Sequence, residues 1–184
     1  MTTYRYSFTQ RLLHWLIALL VFGLLCSGFL FWAFGYEALT QLTGSEDNTS
    51  QLFMYHKSIG LLVMVLMILR LMLRFKEPAP AYNPPLSFPQ RMVGGGIHLA
   101  LYLLLIGLPI GGWLATSAAG YSVSFFGAFE LPALVGKDKE LSTMLFGFHG
   151  LGGLIVAALL LVHIAAALKH RRLRDGVMDR ISLP

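Results

Sequence analysis

Four histidines lie near the ends of strongly apolar segments: His14, His56, His149 and His163. His149 and His163 are fourteen residues apart in one segment. If that segment is helical, both side chains point to about the same face, about 21 Å apart along the axis. An ionisable side chain at membrane depth is costly and marks a functional residue by default, and neutral histidine is the commonest metal ligand. The four residues therefore predict two metal centres at two depths of a bilayer.

The segments that carry these histidines are long enough to cross a membrane. The chain has 184 residues, of which 56% are hydrophobic and 12% charged, and its mean hydropathy is +0.67. A soluble domain carries about twice that share of charge. Four runs have about 20 residues or more, the length that a membrane-spanning helix needs; they are residues 12–34, 52–73, 97–116 and 145–168. We expect an all-α integral membrane protein, a four-helix transmembrane bundle in which residues 1–184 form one domain.

Local signals refine these spans. Ser7 and Gln10 have the spacing of a capping box at the start of the first helix. Pro109 lies inside the third span, where a kink is tolerated. Residues 78–89 hold five of the eight prolines and predict a stiff surface loop. The longest connection, residues 117–140, contains three phenylalanines, which suggest a piece lying on the membrane surface. The first apolar run is too long for the core of a signal peptide, so we expect no cleaved leader.

The basic residues predict the orientation of the bundle. Four spans place both termini on one side, and that side holds eleven of the fourteen lysines and arginines with three of the nine acids, a net charge of +8. The opposite side holds three lysines and six acids, a net charge of −3. Cytoplasmic loops of membrane proteins carry the basic excess. We therefore expect cytoplasmic termini, and the overall charge of +5 needs no nucleic-acid partner to explain it.

This orientation sorts the histidines into two pairs. His14 and His163 lie near the side of the termini, and His56 and His149 lie near the opposite side. Each pair joins two different helices at one level, which is the arrangement of a bis-histidine haem b. Zinc is a weaker alternative because two histidines lack the further ligands of its usual sites. Cys26, the only cysteine, lies in mid-span beside neither pair, and no C-x-x-C-H motif is present, so any haem is held without a thioether bond.

Other residues near the pairs have more than one reading. Lys57 and Arg11 can bind haem propionates, or they can extend to the interface without a partner. His98 can compete with His14 as a ligand or donate to a quinone or to a haem propionate, although simple interfacial placement is favoured. His170 is interpreted as part of a solvated basic tail. The glycines near the second pair can admit a flat cofactor or a neighbouring helix; they are Gly60, Gly147, Gly150, Gly152 and Gly153.

The chain resembles the bacterial cytochrome b561 family in order and spacing over nearly its whole length. The matching segments are Arg11-Leu12-Leu13-His14-Trp15, His56-Lys57-Ser58-Ile59-Gly60, Leu69-Arg70-Leu71-Met72-Leu73-Arg74-Phe75 with the proline loop that follows, His149-Gly150, and Leu161-Val162-His163-Ile164-Ala165-Ala166-Ala167-Leu168-Lys169-His170. The resemblance implies a membrane cytochrome of the bacterial inner membrane with two non-covalent b haems. Its axial ligands would be His14, His56, His149 and His163.

The resemblance also implies electron transfer with quinone. The expected reaction is oxidation of superoxide at the outer face and reduction of ubiquinone to ubiquinol. Superoxide is an anion, and the outer face is net acidic, so a local patch of Lys57, Lys137 and Lys139 would be needed to attract it. One alternative is an anchor subunit that relays electrons between a partner dehydrogenase or hydrogenase and the quinone pool. Another is a membrane protein of structural role without haem.

Overall fold

The computed structural model describes residues 5–183. Four long helices form a bundle, and each is long and apolar enough to cross a membrane. They are α1 (Phe8–Thr43), α2 (Glu46–Lys76), α3 (Phe88–Ala118) and α4 (Lys139–Leu173). Two short strands, β1 (Val123–Phe125) and β2 (Phe129–Leu131), and a 3₁₀ helix, Met178–Arg180, complete the described elements. The predicted four-helix membrane bundle is confirmed, with a small β-hairpin in addition.

The first two helices extend beyond the predicted spans. α1 continues past residue 34 to Thr43, and α2 begins at Glu46, so residues 35–51 are mostly helical. Gly35 interrupts α1 with φ 67° and ψ 179°, a conformation that glycine adopts without steric cost. Gly44 caps α1 in the left-handed region, and the Ser45 hydroxyl accepts from the Asn48 N–H to begin α2. A helical hairpin therefore prolongs the bundle at this end.

The bundle has two chemically different ends. We call the end with the termini and residues 77–87 the basic end, and the end with residues 44–45 and 119–138 the acidic end. Neighbouring helices pack in chain order, α1 on α2, α2 on α3 and α3 on α4. The buried core between them consists of Ile17, Val21, Val63, Met67, Leu101 and Val156. Within the described residues, no Cα atom of α2 comes within 8 Å of one in α4.

The long connection forms a hairpin that packs on α2. Strands β1 and β2 are antiparallel, and the fully buried Ser58 of α2 binds both the hairpin and its turn. The Ser58 hydroxyl lies 2.8 Å from the Met54 carbonyl of its own helix and 3.1 Å from the Ser124 carbonyl, so its one proton is shared between two acceptors. It accepts from the Phe126 N–H at 2.9 Å. Its neighbour Lys57 donates to the Ser122 carbonyl at 3.4 Å. The hairpin therefore lies directly beside His56.

The first helix does not begin with the full capping box that the sequence suggested. The Ser7 hydroxyl accepts from the Gln10 N–H, but the Gln10 side chain does not return to Ser7. Its amide instead donates to the carbonyls of Leu73 and Glu77 at the end of α2. The Leu73 carbonyl already accepts from the Glu77 N–H at 2.8 Å, so the Gln10 amide is a second donor to it. This contact fastens the start of α1 to the end of α2.

The segment after α4 folds back on the start of α1. Trp15 donates to the Ile181 carbonyl, and Arg11 donates to that of Ser182. The sequence predicted that His170 is free in solvent, but its Nδ1 lies 2.5 Å from the Asp175 carboxylate. Partial burial would raise the pKa of Asp175, but hydrogen bonds from His170 and from a backbone N–H hold that pKa below its ordinary value.

Candidate functional site

The structure brings His56 and His149 together at the acidic end. His56 lies on α2 and His149 on α4, and their ring centres are 6.2 Å apart with an angle of 70° between the ring planes. The backbones of these helices stay further apart than that, as noted above. The two imidazoles therefore reach across an interior space that neither backbone fills.

Hydrogen bonds determine which ring nitrogen of each residue is available. The Ser27 hydroxyl lies 3.1 Å from the Leu24 carbonyl, to which it donates, and 2.8 Å from Nδ1 of His56. The Ser27 hydroxyl has one proton, so when it donates to Leu24 it accepts the Nδ1–H of His56. Nδ1 of His149 lies 3.1 Å from the Leu108 carbonyl, which can only accept. His149 therefore carries its proton on Nδ1, and His56 does so when Ser27 donates to Leu24. In this tautomer each ring has a free lone pair on Nε2, which can bind a metal.

Two glycines leave room for these rings. A Cβ atom on Gly112 of α3 would lie 3.1 Å from Cε1 and 3.2 Å from Nδ1 of His149, closer than side chains normally pack. A Cβ on Gly28 of α1 would touch Cε1 of His56 at 3.5 Å. The sequence pointed instead to the glycines around His149. Of these, a Cβ atom would meet a neighbour only at Gly152, and that neighbour is Leu108 of α3. Gly112 was missed because its partner, His149, is 37 residues away in the chain.

The second pair lies at the basic end. The ring centres of His14 on α1 and His163 on α4 are 6.2 Å apart with an angle of 69° between the planes, nearly the geometry of the first pair. His98 of α3 lies closer to His163, at 5.2 Å and 89°. Its Nδ1 is 2.6 Å from the Gly94 carbonyl, one turn earlier in the same helix. Arg70 donates to the Gln10 carbonyl in α1 at 2.9 Å, on the same level of the bundle.

The two pairs fit a metal that takes one nitrogen from each ring. A metal–nitrogen bond is about 2 Å long, so a bound imidazole centre lies about 3 Å from the metal, and two on opposite sides are about 6 Å apart. Direct hydrogen bonding between two rings would bring the centres to about 5 Å. Both pairs have the longer separation. Within the described residues, no group of three or more His, Cys, Asp or Glu side chains forms a metal site. Each pair thus offers two axial nitrogens, as haem iron requires.

Comparison with known proteins agrees with this arrangement. The family model described as "Prokaryotic cytochrome b561" matches residues 5–182. "Cytochrome b561 homolog 2" of Escherichia coli K12 is 32% identical over 181 residues, which cover 98% of this chain and 92% of that protein. "Cytochrome b561 homolog 1" of the same organism is 28% identical over 182 residues, 96% of each chain. "Probable superoxide oxidase CybB" of Yersinia pestis is 29% identical over 183 residues, 96% of this chain and 95% of that protein.

A helical membrane bundle with histidines paired across it is the design of an electron-transfer cytochrome of the b type. The chain belongs to the prokaryotic cytochrome b561 family. Membership implies binding of haem b and a role in membrane electron transfer as an oxidoreductase.

Proposed function

We propose that the chain is one cytochrome domain that holds two b haems, with His56 and His149 as axial ligands of one and His14 and His163 as ligands of the other. The observation that carries this assignment is the equal separation of the two pairs, 6.2 Å in each, at opposite ends of the bundle. His98 is not assigned as a ligand, because its ring centre is only 5.2 Å from that of His163.

The protein supplies position and electrostatics to these haems. A six-coordinate haem exchanges electrons and has no open position for oxygen. Ser27 and the Leu108 carbonyl fix the rings of His56 and His149 and increase their basicity. His149 and His163 are fourteen residues apart on α4, about 21 Å along the helix axis. The two pairs thus divide the crossing of the membrane into shorter electron transfers.

The proposed reaction oxidises superoxide at the acidic end and reduces ubiquinone. Two superoxide anions each give up one electron and become dioxygen; one ubiquinone takes both electrons and two protons and becomes ubiquinol. Capture of an anion is supported by two lysines beside the hairpin. Lys57 donates to the Ser122 carbonyl, and the side-chain carbons of Lys137 lie against Gly120. Two of the three lysines at this end thus lie against the connection between α3 and α4, despite the net negative charge.

The proposed location is the bacterial inner membrane with both termini in the cytoplasm. The support is the charge difference between the ends, +8 at the basic end and −3 at the acidic end. Superoxide would then be oxidised outside, and quinone would take its protons inside. Carboxy-terminal fusions to alkaline phosphatase and to a green fluorescent protein test the orientation. Fluorescence with an inactive phosphatase is expected, and the reverse result would contradict it.

One purified sample tests the proposal in two steps. A reduced-minus-oxidised spectrum with haem quantitation is expected to give an α-band and two haems per chain. A pulse of superoxide at low ionic strength is then expected to reduce haem faster than in a boiled control, and added ubiquinone to reoxidise it. The absence of an α-band would contradict the haem assignment. If an α-band is present but superoxide reduces the haem no faster than in the boiled control, the proposed reaction is contradicted and the haem assignment is not. A copurifying redox subunit would then favour the anchor-subunit alternative.

A further inference from the structure

A second site lies at the basic end, and no histidine is among the residues that line it. A cavity of about 450 Å³ opens between the end of α2, the loop that follows it and the start of α3. Three arginines line it, Arg74, Arg91 and Arg180, together with Tyr82 and apolar loop residues. No aspartate or glutamate is among its lining residues. A cavity with three guanidinium groups and no carboxylate is suited to an anion.

Two of the three arginines, Arg74 and Arg180, are held in place by neutral groups. Arg180 is buried, with 6% of its surface exposed, and its guanidinium lies 3.7 Å from the ring centre of Tyr82. It donates to the Pro80 carbonyl, whereas its buried Nε has no hydrogen-bond partner. Arg74 donates to the Tyr6 hydroxyl at 2.6 Å. These contacts orient the side chains without neutralising their charge.

None of the three arginines forms an ion pair with an acidic residue that the structure describes. Throughout residues 5–183, the one ion pair within 4.0 Å is that of His170 with Asp175. Glu77 lines a neighbouring cavity, and the backbone carbonyl of Asp179, beside Arg180, accepts from Arg5. Since burying a charge without a partner is costly, Arg180 gains from an anion in this cavity.

The position of the cavity indicates where the anion comes from. Arg74 lies in the last turn of α2 and Arg91 in the first turn of α3, the level at which spanning helices pass the lipid headgroups. Two phenylalanines beside them, Phe75 and Phe88, are 79% and 74% exposed. Such exposure is expected of apolar side chains that contact the acyl chains of lipids. We propose that this cavity binds the phosphate of an acidic phospholipid, with its acyl chains along Phe75 and Phe88. Basic pockets between helices are known to hold such headgroups.

Native mass spectrometry of the detergent-purified holoprotein tests this site. Wild-type protein is titrated with phosphatidylglycerol, with phosphatidylcholine of the same acyl chains, and with inorganic phosphate alone. The test variant is Arg74→Gln/Arg91→Gln, which leaves the buried Arg180 intact. The control variant is Arg171→Gln/Arg172→Gln, which removes the same charge from exposed positions at the same end, outside the cavity lining. Thermal melting verifies that both variants are folded.

Wild type is expected to bind phosphatidylglycerol about tenfold more tightly than phosphatidylcholine, and the test variant to lose about that factor. The control variant is expected to change less than about twofold. Equal binding of the two lipids, or equal losses in the two variants, would overturn the proposal. The proposal would also be overturned if inorganic phosphate binds as tightly as the lipid and its binding depends on the same arginines. The ligand would then be a soluble phosphate. Should the test variant not fold, wild-type lipid preference and phosphate competition decide the question.

Discussion

Nδ1 of His56 lies 2.8 Å from the hydroxyl oxygen of Ser27, and that hydroxyl is directed to the Leu24 carbonyl of its own helix. A side chain of α1 thereby fixes the ring of a residue on α2. No partner of this kind is found for Nδ1 of His14 or His163 in the part of the chain that the structure describes. The two proposed haems are therefore expected to differ in reduction potential, since an acceptor at Nδ1 makes an imidazole more basic and stabilises ferric iron.

Replacement of Ser27 by alanine is expected to raise the potential of the haem bound by His56. A neutral hydrogen bond contributes about 1 kcal/mol, which corresponds to about 40 mV for a one-electron couple. Redox titration followed at the α-band measures both haems in one experiment. The neighbouring Cys26→Ala is the control, because Cys26 is exposed on the bundle surface. An unchanged potential in Ser27→Ala, or an equal shift of both haems, would argue against the contact.

Removal of single histidines is expected to separate the haems. His56→Ala or His149→Ala removes the haem at the acidic end, and His14→Ala or His163→Ala removes the other. Haem content per chain falls from two to about one in each case, because one axial nitrogen holds haem b weakly. His98→Ala is the matched control and is expected to retain both haems. Two haems in any of the four variants, or a loss in the control, would contradict the proposed pairing.

Gly112→Ala is expected to weaken haem binding at the acidic end while leaving the bundle folded. The added methyl lies 3.1 Å from the His149 ring, so the ring has to move by a few tenths of an ångström from its position beside Leu108. Displacing a ligand from its supporting hydrogen bond costs about tenfold or more in metal affinity. Haem retention during dilution in detergent measures this. The adjacent Gly111→Ala is the control because its Cβ meets nothing within 4 Å; equal behaviour of the two variants would contradict the prediction.

The Asp175 carboxylate is expected to stabilise the folded-back tail down to acidic pH. Its pKa is lowered in the folded protein by the hydrogen bonds described above, opposed by partial burial. A lowered folded pKa means that the stabilisation is present above the unfolded value of about 3.9 and is lost as the pH falls through the folded value. Amide hydrogen exchange of residues 174–182 should be faster in Asp175→Asn than in wild type at pH 6. Wild type and Asp175→Asn should converge only below the unfolded value of about 3.9, and convergence by pH 5 would refute this sign.

The apolar periodicity and the placement of four histidines are enough to predict the bundle and the levels of the two pairs. Lipid requires each span to satisfy its backbone internally, so length and composition specify the helices with little help from distant residues. Depth then follows from counting along each span. The pairing of His14 with His163 was predictable on this basis, and the structure places these two rings 6.2 Å apart.

The residues that hold the histidine rings in place could not be predicted from the sequence in the same way. Ser27, Gly112 and the Leu108 carbonyl act on histidines of other helices, and Ser58 holds a hairpin more than sixty residues away. None of these groups belongs to a local sequence pattern. A single serine or glycine in an apolar helix looks the same in the sequence whether it packs against another helix or contacts a histidine. The sequence by itself determined four spans, their charged ends and the depths of the histidines. Only the tertiary structure decided which neighbours hold each ring, because packing between helices depends on contacts far apart in the chain.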